Sequence, residues 1–278
     1  MFESTVSLDS FIKTLRDHQP WMVITGAGIS LSSGIPTYRD DSGKWLRSDP
    51  IKHQEFIQYQ DKRKRYWARS IVGWPPVARA QPNRIHRLLV KLEQLGLISG
   101  IVTQNVDRLH QKAGHQNVID LHGRLDRARC LTCGEYEDRS MLQQRLIQEN
   151  PFLDQQSAIL APDGDAYVED ELTERLTPVN CLKCNGTLMP DVVFFGGTVP
   201  KQTNIATANL YDKSNGLLVL GSSLMVYSGY RFCKLAHQNH KPLLIVNRGK
   251  TRADELATQK ITAECGELLS SIVEHFDQ

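Results

Sequence analysis

Five short apolar segments that run into glycine, hydroxyl or amide residues constrain the fold more than any other feature of the chain. These segments are residues 21–24, 97–102, 118–121, 216–220 and 243–246. Each is typical of a buried strand, and stretches with helical spacing of apolar residues lie before the first segment, at 8–17, and between the first and second, at 83–95. Because strands that alternate with helices form parallel sheets, we predict an α/β fold built on a doubly wound parallel sheet.

The residues that follow these segments suggest a ligand site at one edge of the sheet. Gly26-Ala27-Gly28 follow the first segment, residues 103–110 (Thr-Gln-Asn-Val-Asp-Arg-Leu-His) follow the second, and His122 follows the third. Ligands of open α/β sheets bind at the carboxyl ends of strands, and histidine is a common base near neutral pH. The glycine pair lacks the third glycine of a dinucleotide fingerprint, so a structural turn is an equal alternative. Together the strand ends indicate an enzyme that handles a nucleotide.

Charge and hydropathy argue against several classes of protein. The 33 basic residues nearly balance the 31 acidic ones, and we interpret the basic run 62–65 as a solvated helix face. Nothing in the chain approaches the roughly 18 apolar residues of a membrane span. The first residues lack the apolar core of a secretory signal, and their acids do not suit a transit peptide. We therefore expect a cytoplasmic protein with neither nucleic-acid nor membrane partners.

Four of the six cysteines form two Cys-x-x-Cys pairs, Cys130 with Cys133 and Cys181 with Cys184. Thiolates at this spacing can bind one tetrahedral zinc ion from tight turns, and a glycine lies close behind each pair. The pairs are farther apart than in an ordinary zinc ribbon, and residues 134–180 between them include a helical stretch. We predict one structural zinc ion per chain. The alternative is two unrelated redox-active or buried pairs.

Five motifs together resemble the sirtuins, which are NAD-dependent protein lysine deacylases. These motifs are Gly-Ala-Gly-Ile-Ser (26–30), Gly-Ile-Pro-Thr-Tyr-Arg (34–39), Thr-Gln-Asn-Val-Asp (103–107), Leu-His-Gly (121–123) and Pro-Asp-Val-Val-Phe-Phe-Gly (190–196). The resemblance extends roughly over residues 8–270. Residues 65–69, 72–75 and 161–165 resemble the class II branch, which includes the mitochondrial sirtuin described as an ADP-ribosyltransferase, lipoamidase and deacylase.

The resemblance implies a two-domain organisation that agrees with the strand pattern. The strand-rich parts, residues 1–49, 82–123 and 190–278, are expected to form an NAD-binding, Rossmann-like domain. Residues 50–81 and 124–189 lack the alternation of strands and helices. They are expected to form a smaller zinc-ribbon-plus-helical lobe.

The resemblance also implies the chemistry. Nicotinamide leaves the ribose C1′ of NAD, the acyl-lysine oxygen attacks there to give an alkylimidate, and a ribose hydroxyl then attacks the imidate carbon with the help of a base. His122 matches that base, Asn105 the amide near the ribose and an ordered water, and Gln104 a ribose contact. From the residues alone, His122 could equally be a core histidine, and Asn105 could cap the following helix.

Further cofactor contacts follow from the same resemblance. Val106 and Asp107 match the pocket for the nicotinamide carboxamide, although Asp107 could instead be a first-turn helix acid. Tyr38, which replaces a common phenylalanine, and Arg39 lie on the loop that closes over the cofactor, and Cys265 matches a backbone contact near adenine. The remaining expected contacts are Gly26, Ala27, Gly28, Ser30, Pro36, Gly221, Ser222, Ser223, Asn247, Arg248 and Gly249.

Two residues suggest a choice among acyl groups. Tyr66 and Arg69 lie three apart in a predicted helix and so share a face. The same Tyr-x-x-Arg arrangement in desuccinylating sirtuins binds an acidic acyl chain, and an arginine can donate two parallel hydrogen bonds to a carboxylate. The alternative is that Arg69 pairs with an acid on a solvated face. The expected substrate contacts are Tyr66, Arg69, Val193, Phe194 and Gly196.

We therefore predict an NAD-dependent protein lysine deacylase that acts on acyl-lysine proteins, consumes NAD and prefers acidic acyl groups. An NAD-dependent ADP-ribosyltransferase or lipoamidase is the nearest alternative. An NAD-dependent oxidoreductase could use the same glycine loop, but it would have no use for a zinc-bound lobe. A zinc-ribbon module for nucleic acid is a further alternative, and the balanced charge argues against it.

Overall fold

The predicted parallel sheet is present, with six strands in the order β3-β2-β1-β7-β8-β9. The computed structural model describes residues 7–38, 40, 50–154 and 164–277. The strands of this sheet are β1 (Trp21–Thr25), β2 (Ile98–Thr103), β3 (Val118–Asp120), β7 (Gly216–Leu220), β8 (Leu243–Val246) and β9 (Gln259–Ile261). All neighbours pair in parallel, and the direction of winding reverses between β1 and β7.

Helices cover both faces of this sheet. The helices are α1 (Leu8–Asp17), α2 (His53–Gln58), α3 (Gln60–Arg79), α4 (Arg84–Gln94), α5 (Leu109–Ala113), α6 (Arg139–Glu149), α7 (Asp170–Glu174), α8 (Lys201–Asp212), α9 (Tyr227–Gln238) and α10 (Cys265–Phe276). Trp21 and Val23 of β1 pack toward α1, α4 and α10. Met22 and Ile24 pack toward α8 and α9. Because alternate residues of a strand face opposite sides, both faces of a fully apolar strand are buried, as in other doubly wound sheets.

The ends of the helices follow the sequence signals. Asn83 caps α4, since its Oδ1 accepts a hydrogen bond of 2.9 Å from the backbone N–H of Ile85. Gly96 follows the helix with a φ of 73°, a left-handed conformation in which glycine is favoured. Within the described ranges, none of the helices combines the length and apolar character that a membrane span requires.

A second, antiparallel sheet of three strands lies in the part of the chain that lacks the alternating pattern. Its strands are β4 (Gly123–Cys130), β5 (Tyr136–Asp138) and β6 (Leu188–Val192), in the order β5-β4-β6. Buried residues of α3 and α6, among them Trp67 and Leu142, pack into one cluster with this sheet. The division into two domains stays a prediction.

Helix α3 is longer than the sequence indicated, because it continues through Pro75 and Pro76. A proline lacks the N–H that would bond the carbonyl four residues earlier. For Pro75 that carbonyl belongs to Ile71, and Gln143 of α6 donates to it from Nε2 at 2.7 Å. A buried side chain from a neighbouring helix therefore satisfies the acceptor that the proline leaves open.

Three buried histidines lie between α4, α5 and the end of β1. The ring of His110 lies 5.0 Å from that of His86 and 5.1 Å from that of His115, and its Nε2 is 3.0 Å from Thr25 Oγ1. Burial lowers the pKa of His86 to about 4 and holds that of His110 well below its usual value. Burial also lowers the pKa of His115, although Glu93 Oε2, which lies 2.9 Å from its Nδ1, opposes this shift.

We expect His86 and His110 to make the protein less stable as the pH falls. Above pH 6.5, the ordinary pKa of histidine, both are neutral in the folded and unfolded chain, and between pH 6.5 and about 4 only the unfolded chain takes up their protons. The free energy of unfolding should fall by up to about 1.4 kcal/mol per pH unit for each residue. Urea unfolding at several values from pH 8 to pH 5.5 measures this slope.

His86→Gln should reduce the slope, whereas His237→Gln should leave it unchanged because His237 is exposed at the end of α9. Equal slopes in the wild-type protein and in His86→Gln would contradict the assignment.

Candidate active site and metal centre

The carboxyl ends of the parallel strands open into a cavity of about 910 Å³. It lies where the winding of the sheet reverses, which is where ligands bind in open α/β folds. Its wall contains the segments that follow four different strands, together with His122. These segments are 26–28 after β1, 104–106 after β2, 221–223 after β7 and 247–249 after β8.

The loops after β1 and β7 approach each other so closely that Gly26 and Gly28 have no room for a side chain. A Cβ on Gly26 would lie 2.7 Å from Ser222 Cβ, and one on Gly28 would lie 2.8 Å from the carbonyl oxygen of Gly221. The N–H of Gly28 donates to that same oxygen at 2.9 Å. Larger residues would push the loops after β1 and β7 apart. Gly26 and Gly28 therefore have a structural role, as the alternative of a structural turn predicted. The two loops that they allow to meet also line the cavity.

Asn105 joins the loop after β1 to the end of β2. Its Nδ2 donates to the carbonyl oxygen of Gly26 and to Ser30 Oγ, each at 3.1 Å. It does not cap the helix that follows. Arg108 occupies the cap position of that helix, and Asp107, one residue earlier, accepts a hydrogen bond of 2.9 Å on its Oδ1 from the N–H of Leu109, the first helical residue.

Asp107 has a second contact on the cavity side. Its Oδ2 accepts a hydrogen bond of 2.7 Å from Ser30 Oγ, and burial raises the pKa of the carboxyl group. Asp107, Ser30 and Val106 line a small recess beside Tyr38. Asp107 precedes α5 and is therefore not an acid of its first turn, and its carboxyl group lines the recess instead.

His122 faces the cavity with both ring nitrogens engaged. Its Nδ1 lies 3.0 Å from the carbonyl oxygen of Gln104, and its Nε2 lies 2.7 Å from Ser228 Oγ. A carbonyl oxygen only accepts, so Nδ1 carries the hydrogen and Nε2 the lone pair. Burial lowers the pKa of His122, which keeps the imidazole neutral near pH 7. A neutral imidazole with a fixed tautomer can act as a base.

An aromatic group forms another part of the wall. Phe194 stacks on Phe56 at 5.1 Å and meets Tyr66 edge-on at 5.2 Å between ring centroids. Val193 and Gly196 line the cavity beside them, and the N–H of Val193 donates to the carbonyl oxygen of His122 at 2.8 Å. This hydrogen bond ties the strand end that carries His122 to the segment after β6.

Arg69 lies behind this wall. Its Nη2 is 2.6 Å from Asp165 Oδ2, and its Nε donates to the carbonyl oxygen of Ala166 at 2.8 Å. Asp165 and Tyr66 line the cavity, whereas Arg69 is not among the lining residues. The alternative prediction that Arg69 pairs with an acid is correct. The pair does not lie on a solvated face, however, because the Arg69 side chain is only 12% exposed.

The other expected contacts divide into three groups. Asn247, Arg248, Gly249 and Cys265 line the cavity, and burial raises the pKa of the Cys265 thiol to about 12, so it is chemically inert. Pro36 is not among the lining residues. Arg39 lies outside the described residues, as do residues 161–163 of the class II motif.

Ser228 and Asp165 are among the wall residues that the sequence predictions omitted. Ser228 lies in the first turn of α9, the helix that follows the predicted Gly-Ser-Ser loop, and a helix start at this edge of the sheet was an available signal. Asp165 belongs to a motif that was used only to assign the class II branch.

The four paired cysteines form a cluster that fits a tetrahedral metal. Their sulfur atoms all lie within 4.8 Å of one another, with Cys130 and Cys184 at 3.5 Å and Cys133 and Cys181 at 3.7 Å. A tetrahedral ion with Zn–S bonds of about 2.3 Å separates its sulfurs by roughly 3.8 Å, whereas a disulfide requires about 2.05 Å. None of the four lines the cavity, and four thiolates leave no open ligand position, so the cluster fits a structural zinc.

One family accounts for the similarity of this chain to known proteins. Residues 26–228 match the model of the Sir2 family. A Bradyrhizobium diazoefficiens protein named NAD-dependent protein deacetylase 2 is 45% identical over 267 residues, 96% of this chain and 97% of that protein. The human NAD-dependent protein lipoamidase sirtuin-4, mitochondrial, is 46% identical over 254 residues, 90% of this chain and 81% of that protein.

Solved structures of the same family share the fold. A Sir2 complex with a p53 peptide and NAD⁺ matches with a TM-score of 0.75 at 30% identity, over 97% of this chain and 98% of that one. Sir2Tm bound to a propionylated peptide matches with a TM-score of 0.74 at 29% identity, over the same shares of the two chains.

We expect the purified protein to contain about one zinc ion per chain. Cys130→Ser and Cys181→Ser should each lose the metal and lower the thermal stability of the protein, because the two turns that carry the thiolates would no longer be joined. Leu182→Ala, a change of an exposed residue inside the second pair, should keep the metal. Elemental analysis and thermal unfolding test this, and folded protein without metal would disprove it.

Proposed function

The chain belongs to the Sir2 family, the sirtuins, and from this membership we propose that it is an NAD-dependent protein lysine deacylase. NAD supplies a ribose C1′ that becomes electrophilic when nicotinamide leaves, and the acyl-lysine of a protein is the second substrate. The size of the cavity and its position at the reversal of the sheet support a dinucleotide site.

The observation that carries this proposal is the arrangement of His122. A ribose hydroxyl becomes a better nucleophile when a base takes its proton, and that base must be neutral and fixed in orientation. The contact of Nδ1 with the Gln104 carbonyl fixes the ring, and burial keeps it neutral. We assign the base to His122, which lies at the same edge of the sheet as the glycine loop.

The cofactor end of the cavity is assigned to the loops after β1, β7 and β8. Gly26 and Gly28 leave backbone without side chains beside Gly221, while Ser223 and Asn247 offer polar groups to a ribose or an adenine. Asn105 would act by holding the glycine loop in place, as its bond to the Gly26 carbonyl indicates.

His122→Ala should lower deacylation of an acetyl-lysine peptide by at least about 100-fold, because the base is lost. NAD affinity measured by calorimetry and the zinc content should stay close to those of the wild-type protein. Product masses give the rates, and His237→Gln at an exposed position is the control. A variant without His122 that keeps its full rate would show that the residue is structural.

Lipoamidase activity is a second candidate. The 46% identity to a protein named as a lipoamidase favours it, and so does the aromatic wall of Tyr66 and Phe194, which suits a long apolar acyl chain. Incubation with NAD and peptides that carry acetyl, lipoyl and glutaryl groups would rank the substrates. A mass increase on a protein substrate in place of acyl loss would instead indicate ADP-ribosyl transfer.

The preference for acidic acyl groups stays a prediction, and we propose a narrower form of it. Asp165 lines the cavity and occupies Arg69, so a carboxylate at the end of an acyl chain would meet the negative group of the pair first. The carboxylate of an acidic acyl group can pair with Arg69 only when Asp165 moves away from Arg69. The pair, and not Arg69 alone, would then decide how well acidic acyl groups bind.

Asp165→Asn should raise the ratio of glutaryl-lysine to acetyl-lysine turnover by roughly tenfold, which corresponds to about 1.4 kcal/mol of removed repulsion. Arg69→Met should lower that ratio, because it leaves the carboxylate of Asp165 unpaired. Arg65→Met, which removes a charge one turn earlier on α3, is the control. An unchanged ratio in both test variants would show that the pair does not select the acyl group.

A further inference from the structure

The lone pair of His122 is already occupied in the free protein. The Gln104 carbonyl takes the hydrogen of Nδ1, so the hydroxyl of Ser228 donates to Nε2 at 2.7 Å. A ring nitrogen of neutral imidazole offers one lone pair, which lies in the plane of the ring. A substrate hydroxyl therefore cannot donate to Nε2 at the same time as Ser228 does.

Gln104 fixes His122 and Ser228 relative to each other. Its backbone carbonyl orients the imidazole, and its side chain packs against the start of α9, where a Cβ on Gly229 would lie 2.9 Å from Gln104 Oε1. Gln104 Nε2 donates to Ser222 Oγ at 2.7 Å, which holds the side chain in place. The contact between Ser228 and His122 is thus supported on both sides by one residue.

Ser228 also lines the cavity, so a ligand can reach its hydroxyl. A serine hydroxyl donates one hydrogen and accepts on its oxygen lone pairs. While it donates to Nε2, Ser228 Oγ can still accept a hydrogen bond from a group in the cavity. Ser228 can therefore connect His122 to a group in the cavity through two consecutive hydrogen bonds.

We propose that Ser228 is a catalytic residue that relays the proton of the attacking ribose hydroxyl to His122. Ser228 Oγ accepts the proton from the ribose oxygen as that oxygen forms its bond to the imidate carbon, the π pair of the C=N bond moves onto the lysine nitrogen, and the original Ser228 proton passes to Nε2. Ser228 ends the step neutral, and His122 ends it as an imidazolium that carries hydrogen on both nitrogens. This inference rests on the proposed deacylase function.

Two reactions distinguish the relay from the rest of catalysis. Exchange of labelled nicotinamide into NAD, in the presence of an acetyl-lysine peptide, reports the chemistry before any base is needed, whereas release of the acyl group requires the base. Ser228→Ala should lower the ratio of deacylation to exchange by at least about tenfold, which is part of the roughly 100- to 10,000-fold that general acid–base catalysis contributes. Ser228→Thr keeps a hydroxyl and should recover most of the ratio.

Ser140→Ala is the matched control, because Ser140 is likewise the second residue of its helix, α6, and its hydroxyl contacts Asp138 outside the cavity. It should behave as the wild-type protein does. Nitrogen NMR of the free protein gives a readout without substrate. Loss of the Ser228 hydroxyl should shift the His122 Nε2 resonance and raise the pKa of the imidazole, because the bond that stabilises its neutral form is gone.

The outcomes separate the relay from the proposed function. A wild-type protein with neither exchange nor deacylation would overturn the deacylase assignment itself, and the relay with it. An active wild-type protein whose ratio is unchanged in Ser228→Ala would overturn the relay alone. Equal impairment of Ser228→Thr and Ser228→Ala, or an unmoved His122 resonance in Ser228→Ala, would also overturn it.

Discussion

The contact between the loops after β1 and β7 is the constraint on which the site depends. Gly28 and Gly221 meet backbone to backbone, with a hydrogen bond of 2.9 Å, and Gly221 has a φ of 58° that favours glycine. These loops lie on adjacent strands where the winding of the sheet reverses. Both loops line the cavity, so their close approach determines the shape of its wall. The glycines are therefore a condition for the site, whether or not they contact a ligand.

Gln104 connects the ends of β1 and β7 to His122. Its backbone N–H donates to the carbonyl of Thr25 at 3.0 Å, its side chain bonds Ser222, and its carbonyl orients His122. The ends of β1 and β7 and His122 are thus connected through one residue. On this basis the position of His122 is set by the same contacts that hold the loops after β1 and β7.

The sequence could predict the features whose causes are local. The strands 216–220 and 243–246 were predicted to the residue, since each is an apolar run bounded by polar residues. Strand β4 was missed because four of its eight residues are charged and its few apolar residues form no regular alternation, so it is a strand only through its antiparallel partners. The contact between His122 and Ser228 joins residues 106 positions apart, so no local pattern encodes it. The pairing of Arg69 with Asp165 depends in the same way on how a distant segment packs against α3.

The metal centre lies outside the cavity, yet a continuous set of contacts joins the two. Cys130 ends β4, β4 pairs with β5, and α6 begins directly after β5. From α6, Gln143 bonds the carbonyl of Ile71, and the buried Arg139 donates to that of Ser70 at 3.1 Å. Both acceptors belong to α3, the helix that presents Tyr66 to the cavity. A metal that holds the two cysteine turns together would therefore also restrain the helix that presents Tyr66 to the cavity.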